Sequence, residues 1–334
     1  VEITSIERMG GGGRRPHDAA YEGGIAFMDG EVCPLTEATV PFLDFGFLQS
    51  DAVYEKATVS NGRYFRLDEH FARFTRSCRA FRLENPWTDD EMRGIFDALL
   101  ALSGYEAAGV FWVVTRGIAR PGVDMAADRN NPDAFDSRFY VMVNDYGSIT
   151  SAEERRNGID VAISRTHIRI PTEAVDPRAK NFHWMDMKLS LFEARDEGRD
   201  WAILTDRDGY LTEAAGANVF VIEDGELATP DSGCLEGITR GAALDLAAEL
   251  GIPARRERVH ADRLRTADEA FLTSGAGGIM AIRAVDGVPL RSTAEGALTT
   301  RIHNLYWQRM WEGWGGTPVD YDRADFPVET GVRA

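Results

Sequence analysis

The chain has 334 residues, 44% of them hydrophobic, so a sizeable buried core is within reach and disorder is not the default. A formal net charge of −17 argues against nucleic acid and anionic membranes as partners. No apolar run reaches the roughly 18 residues of a membrane span, residues 1–16 lack the apolar stretch of a signal peptide, and Cys33, Cys78 and Cys234 form no CxxC pair, against a disulfide framework and a structural zinc site.

In chain order, residues 1–20 read as a flexible arm around Gly10-Gly11-Gly12-Gly13-Arg14-Arg15. Two hairpins follow, turning at Asp29-Gly30 and at Asn61-Gly62 between short apolar runs. Leu67, Phe71, Phe74, Cys78 and Phe81 recur at three- and four-residue steps, the signature of a helix, with Asp68 as its expected N-cap. A second helix starts at Thr88, with Glu91 completing a capping box, and runs to Leu102. Strands over 110–115 and 139–143 flank a Pro-, Asp- and Asn-rich loop at 119–136, long enough to suggest function or mobility. The polar stretch 145–157 reads as a linker between a substrate-side domain, 21–144, and a larger domain, 158–334. In the second half, strands are expected at 159–164, 202–205, 218–222, 226–229, 254–259 and 270–274. Helices are expected at 185–197 and 239–250, a hairpin at Asp286-Gly287, and a closing Trp-rich helix up to Trp314. Strands with interspersed helices predict an α+β architecture rather than a regular βαβ chain.

The basic residues are unevenly chosen. There are 34 arginines but only three lysines, Lys56, Lys180 and Lys188. Arginine holds its proton, whereas lysine can lose it and attack a carbonyl. A chain that otherwise prefers arginine is expected to keep lysine where that chemistry is needed. Lys180 lies in Asp176-Pro177-Arg178-Ala179-Lys180-Asn181-Phe182-His183-Trp184, between a Pro-containing loop and a helix. Glu213 lies in Tyr210-Leu211-Thr212-Glu213-Ala214-Ala215-Gly216-Ala217-Asn218, whose small residues let backbone approach a flat ligand. Lys188 sits on an amphipathic helix pattern and reads as a solvated residue.

The Lys-Asn segment paired with a downstream Leu-Thr-Glu-x-x-x-x-Asn segment resembles the class IV aminotransferases, and the resemblance runs from about Tyr21 to Trp311. It implies a fold-type IV enzyme of two α/β domains with pyridoxal 5′-phosphate (PLP) between them, and a homodimer in the cytoplasm. Lys180 falls where that family places its Schiff-base lysine, and Glu213 where it places the carboxylate at the pyridine nitrogen. Arg73, in His70-Phe71-Ala72-Arg73, matches the family's phosphate arginine, able to bind through two parallel hydrogen bonds. The helix opening at Leu235-Glu236-Gly237-Ile238-Thr239-Arg240 offers free backbone N–H groups to phosphate, with Ile238 and Thr239 at the contact and Leu235 against the ring. In Thr273-Ser274-Gly275, relatives commonly use a Thr hydroxyl at the position of Gly275; here Ser274 or backbone N–H groups would serve. No metal is implied.

For the substrate, Phe47-Leu48-Gln49-Ser50-Asp51-Ala52-Val53-Tyr54-Glu55-Lys56 resembles a pocket strand of the (R)-selective amine transaminases, with Tyr54 as a pocket tyrosine. Phe111 and Trp184 are further candidate pocket residues. Lys56 replaces a residue that is usually apolar there, and would favour a substrate carboxylate unless it pairs with an acid such as Glu55 or reaches solvent. Among the loop arginines Arg120, Arg129 and Arg138, Arg120 is the one nearest the family's carboxylate-binding arginine. The expected reaction moves an amino group between an (R)-configured amine or D-amino acid and a keto acid such as pyruvate. The alternatives are branched-chain aminotransferase activity, or a lyase similar to aminodeoxychorismate lyase.

Overall fold

The computed structural model describes residues 13–292, 297–323 and 326, and in it the chain divides into two units. One unit holds the described residues of Gly10–Gly147, Ala179–Phe182 and Gly313–Ala334; the other holds those of Ser148–Arg178 and His183–Glu312. Most of residues 1–20 expected as an arm, 1–12, lie outside the described residues. From Gly13 the chain is tied down: the Arg14 guanidinium lies 3.7 Å over the Tyr105 ring and donates to Glu22 O at 3.0 Å.

In the first unit, period-two alternation builds an antiparallel sheet from β1 (Ile25–Met28), β2 (Glu31–Pro34), β3 (Ala52–Ser60), β4 (Arg63–Phe65), β5 (Ala108–Ala119) and β6 (Phe135–Asp145). Gly316–Pro318 adds an edge strand on β4. Both expected hairpins form, with Asp29 and Asn61 at positive φ. The strands on either side of the 119–136 loop run longer than their apolar cores, and the loop itself contains α4 (Met125–Asp128), numbered after α1 (Phe45–Gln49), α2 (Leu67–Phe81) and α3 (Asp89–Ser103). The capping box at Thr88 is present. The cap expected at Asp68 is not: Arg66, at φ 50, turns the chain out of β4, and the helix starts at Leu67. Asp68 therefore sits in the first turn, where its charge still faces the positive end of the helix.

Alternation assigns each sheet face its role. Val53, Ala57, Val59, Val110, Trp112, Val114, Phe139 and Val141 point to α2 and α3 and form the core. Trp112 is fully buried against Phe71, Phe74 and Phe96, with ring centroids 5.9, 5.8 and 4.9 Å away. The intervening residues, among them Tyr54, Lys56, Phe111 and Met142, occupy the opposite face, and the last three are half-exposed.

The second unit is built on a mixed sheet. Its strands are β7 (Ile159–Ile163), β8 (Trp201–Thr205), β9 (Leu211–Ala214), β10 (Asn218–Glu223), β11 (Glu226–Pro230), β12 (Ala254–Glu257), β13 (Glu269–Ser274), β14 (Gly278–Val285) and β15 (Val288–Pro289). The order is β12-β11-β10-β13-β14-β7-β8-β9, with β15 on β14. The helices are α5 (Ala152–Asn157), inside the polar stretch read as a linker, α6 (Met185–Asp196), α7 (Ile238–Glu249), α8 (Ala261–Thr266) and α9 (Ala297–Trp311). Among the described residues no helix is long and apolar enough to cross a membrane.

Candidate functional site

Lys180 belongs by contacts to the first unit, although the chain up to Arg178 and again from His183 belongs to the second. Residues Ala179–Phe182 form a short strap along β3. Asn181 bridges to Val53, Tyr54 N donates to Lys180 O at 3.0 Å, and Lys180 N donates to Ser77 Oγ of α2 at 3.0 Å. Asn181 Nδ2 closes the strap by donating to Ala179 O at 2.8 Å. The backbone of Lys180 is thus held at both its N–H and its carbonyl, and its side chain is half-buried with Nζ 4.4 Å from the centroid of the Tyr54 ring. Phe111 and Phe182 surround that tyrosine, at 5.1 and 4.7 Å between centroids. Lys180, Tyr54, Phe111 and Lys56 therefore share one face of the sheet.

Arg73 faces the other way. On α2 it meets Glu55, the β3 residue between Tyr54 and Lys56. Its Nε and Nη2 donate to the two carboxylate oxygens at 2.6 and 2.8 Å, and His70 Nδ1 lies 2.7 Å from Oε2. Glu55 is 0% exposed. Burial alone would raise its pKa; the Arg73 charge and hydrogen bonds, with His70 behind them, outweigh that and hold the carboxyl well below the usual range. Burial pushes His70 down against the pull of Glu55.

In the second unit Glu213 lies on β9, 3% exposed. It accepts from Arg169 Nε at 2.9 Å and from Leu235 N at 3.1 Å. Arg169 also donates through Nη1 to Asp186 Oδ2 at 2.7 Å, in the first turn of α6. Burial would lower the Arg169 pKa, but the Glu213 and Asp186 charges raise it, so the cation is secured between two anions. Leu235 leads into α7 through Gly237, an N-cap residue that contributes no side-chain hydrogen bond. The first-turn N–H groups at Ile238 and Thr239 are thus left to an outside acceptor, and both residues are nearly buried, 8% and 6% exposed. A Cβ on Gly237 would lie 2.0 Å from Asn218 Oδ1, whose Nδ2 is held on Leu235 O at 2.8 Å, so only glycine fits there. Beside Asn218 on β13, Thr273 has a buried Oγ1 with no hydrogen-bond partner among the described residues. Ser274 Oγ accepts from Ala276 N at 3.3 Å and shapes the Ser274–Gly278 turn that contains Gly275. Trp184 packs on Gly216, where a Cβ would come within 3.1 Å of the ring.

Three of the residues singled out from sequence stand elsewhere. Arg120 is exposed and paired with Asp136 at 2.8 Å, while Arg138 is tied to Asp29. Lys188 is exposed on α6, its Nζ 5.6 Å from the Phe192 ring centroid. Arg169, Asp186, Ser77 and Phe182 were not legible beforehand. The one available signal for Arg169 was a charged residue set between Ile168 and Ile170, and 34 arginines dilute it.

The amino-transferase class IV family model matches residues 52–285. A branched-chain-amino-acid aminotransferase of Pseudomonas aeruginosa is 30% identical over 85% of this chain and 92% of its own length. A D-alanine aminotransferase of Listeria innocua is 29% identical over 81% and 90%. Among solved structures, a T.th. branched-chain amino acid aminotransferase with pyridoxamine 5′-phosphate superimposes with a TM-score of 0.79 at 28% identity, covering 89% of this chain and 99% of that one. The Escherichia coli branched-chain enzyme gives 0.78 at 27%, covering 87% and 94%.

Proposed function

Since this chain belongs to the amino-transferase class IV family and is a PLP-dependent aminotransferase of fold-type IV, we propose that it transfers the amino group of a hydrophobic amino acid of the branched-chain class to a keto acid. The observation that carries this reading is the aromatic face of Tyr54, Phe111 and Phe182 around Lys180 Nζ, which accepts an apolar side chain beside the reacting nitrogen. The names of the relatives point the same way.

The residues fit the cofactor. The N-terminus of α7 lacks a side-chain cap, Gly237 lets Asn218 pack directly against the turn that opens it, and Thr273 Oγ1 is an orphaned buried hydroxyl close by in sequence to Ser274 and Gly275. When bound, PLP supplies an electron sink for the pair released from the donor's Cα–H bond. Lys180 Nζ would hold the cofactor's aldehyde carbon and, once displaced by the donor, carry the proton taken from Cα. Glu213, oriented by Arg169 Nε and Leu235 N–H, would keep a proton on the pyridine nitrogen. Ile238 and Thr239 N–H, with Ser274 and Gly275, would be the phosphate donors in this reading, and Arg73 would join them through Nη1, because Glu55 takes its Nε and Nη2. Leu235 would press against the ring and Trp184 would wall the pocket. The exposed apolar residues Phe42, Leu43, Phe47 and Leu48 would be covered in a homodimer.

A second reading, transfer from an (R)-amine or D-amino acid, is favoured by the Tyr54 strand, by the Lys180–Trp184 segment and by the D-alanine aminotransferase relative. Steady-state rates with L-leucine, D-alanine and (R)-1-phenylethylamine as donors and pyruvate or 2-oxoglutarate as acceptor separate the two. We expect L-leucine to lead; a lead for either of the others transfers support to the second reading. Lys180→Ala should abolish both the visible absorbance of the bound cofactor and turnover, whereas Lys188→Ala should change neither. A protein that keeps its absorbance without Lys180 would overturn the assignment.

A further inference from the structure

We propose that Lys56 is a specificity residue that holds a carboxylate of the substrate on the open face of the first unit's sheet. The inference deepens the functional reading and rests on it for the identity of the substrate, a 2-amino or 2-keto acid with an apolar side chain.

Position comes first. Lys56 lies two residues beyond Tyr54 on β3, so the two side chains share a face, one stride of about 7 Å apart. Tyr54 lies under Lys180 Nζ, and Phe111 is the cross-strand partner of Lys56. An α-amino acid sets only one carbon between its amine and its carboxylate carbon, so the flexible Lys56 stem has to swing from its resting place at Gly109 towards Tyr54 to meet the carboxylate.

Partners come second. Glu55, the neighbouring acid, sends its carboxylate to the opposite face, where Arg73 and His70 take it; only the Lys56 backbone N–H touches it, at 3.3 Å. Among the described residues the Lys56 ammonium has no ion pair and no hydrogen bond. Its stem instead lies across β5 at Gly109, where a Cβ would come within 2.9 Å of Lys56 Cε; that same point is 3.5 Å from Nζ and 3.6 Å from Asn144 Oδ1. Gly109 thus provides the groove in which the lysine rests.

Electrostatics come third. Burial, and then the Lys180 charge, lower the Lys56 pKa, and no acid offsets them. A half-buried ammonium without a counter-charge is unfavourable until an anion joins it. The rest of the face, Tyr54, Phe111, Phe182 and Met142, offers an apolar side chain a surface and an anion little. Chemistry divides the substrate accordingly, its apolar part over the rings and its carboxylate at Lys56.

The test uses the PLP-loaded enzyme, its Lys56→Met and Lys56→Arg variants, and two unreactive probes, 4-methylvaleric acid and its primary amide. Calorimetry should show the acid binding roughly tenfold to a hundredfold more weakly to Lys56→Met. The amide should change less than about twofold, and Lys56→Arg should keep most of the affinity for the acid. Cofactor absorbance and melting temperature serve as folding controls. Equal loss for acid and amide, no loss for the acid, or no binding of the acid to the parent enzyme would each overturn the proposal. Failure of every donor in the turnover assay would instead remove the functional reading, while the acid–amide comparison still decides the role of Lys56.

Discussion

Glu55 and Lys56 are neighbours in sequence with opposite surroundings, because a strand sends successive side chains to opposite faces. Glu55 is sealed under α2 with Arg73 and His70, and removing its charge leaves a buried guanidinium without its anion. Glu55→Gln should cost about 3–5 kcal/mol in urea denaturation near neutral pH. The pH dependence has a definite sign. The folded pKa is depressed below the ordinary value of 4.5, so the stabilisation is complete above that value and drains away as pH falls below it. The parent should therefore lose stability between about pH 5 and about pH 3, and Glu55→Gln should flatten that slope. A variant with the same slope would show that the pair carries none of it. The sequence offered Glu55 as a partner for Lys56; nothing local told which face either side chain would take relative to Arg73. Arg169 was out of reach for a related reason, since its role is set by Glu213 and Asp186, both distant in sequence.

At the level of elements, what depends on a few adjacent residues was legible. The Asp29-Gly30 and Asn61-Gly62 turns and the Thr88–Glu91 box all form as expected. The start of α2 was not, because the left-handed turn at Arg66 depends on how β4 hands the chain over. The α7 opening combines both kinds of information: the motif identified it, and the structure shows why Gly237 is required. Gly237→Ala places a methyl 2.0 Å from Asn218 Oδ1, and the Leu235 contact of Asn218 resists rotation. Overpacking of this kind costs about 1–3 kcal/mol. Titration of apoenzyme with PLP should show an affinity lower by roughly tenfold or more, since the first-turn N–H groups move. Unchanged affinity would mean that α7 does not cradle the phosphate.

For the molecule as a whole, family and cofactor were legible because the Lys180 and Glu213 segments each keep their chemistry in a short contiguous run. The donor was not, because its face gathers Tyr54, Lys56, Phe111, Met142 and Phe182 from four separate stretches. A ligand that binds the folded state alone stabilises it by mass action, by about 2.7 kcal/mol when free ligand is a hundredfold over its dissociation constant. Holoenzyme should accordingly melt several degrees above apoenzyme, and Lys180→Ala should retain only part of that gain. An equal gain in the variant would mean that the covalent link adds nothing to folding. The scarcity of lysine has a practical side as well. Lys56 and Lys180 are half-buried and Lys188 stands open on α6, so an amine-directed dye or resin in limiting amount meets Lys188 first. Apart from the terminal amine, conjugation should be homogeneous, giving a protein that can be tethered in a single orientation.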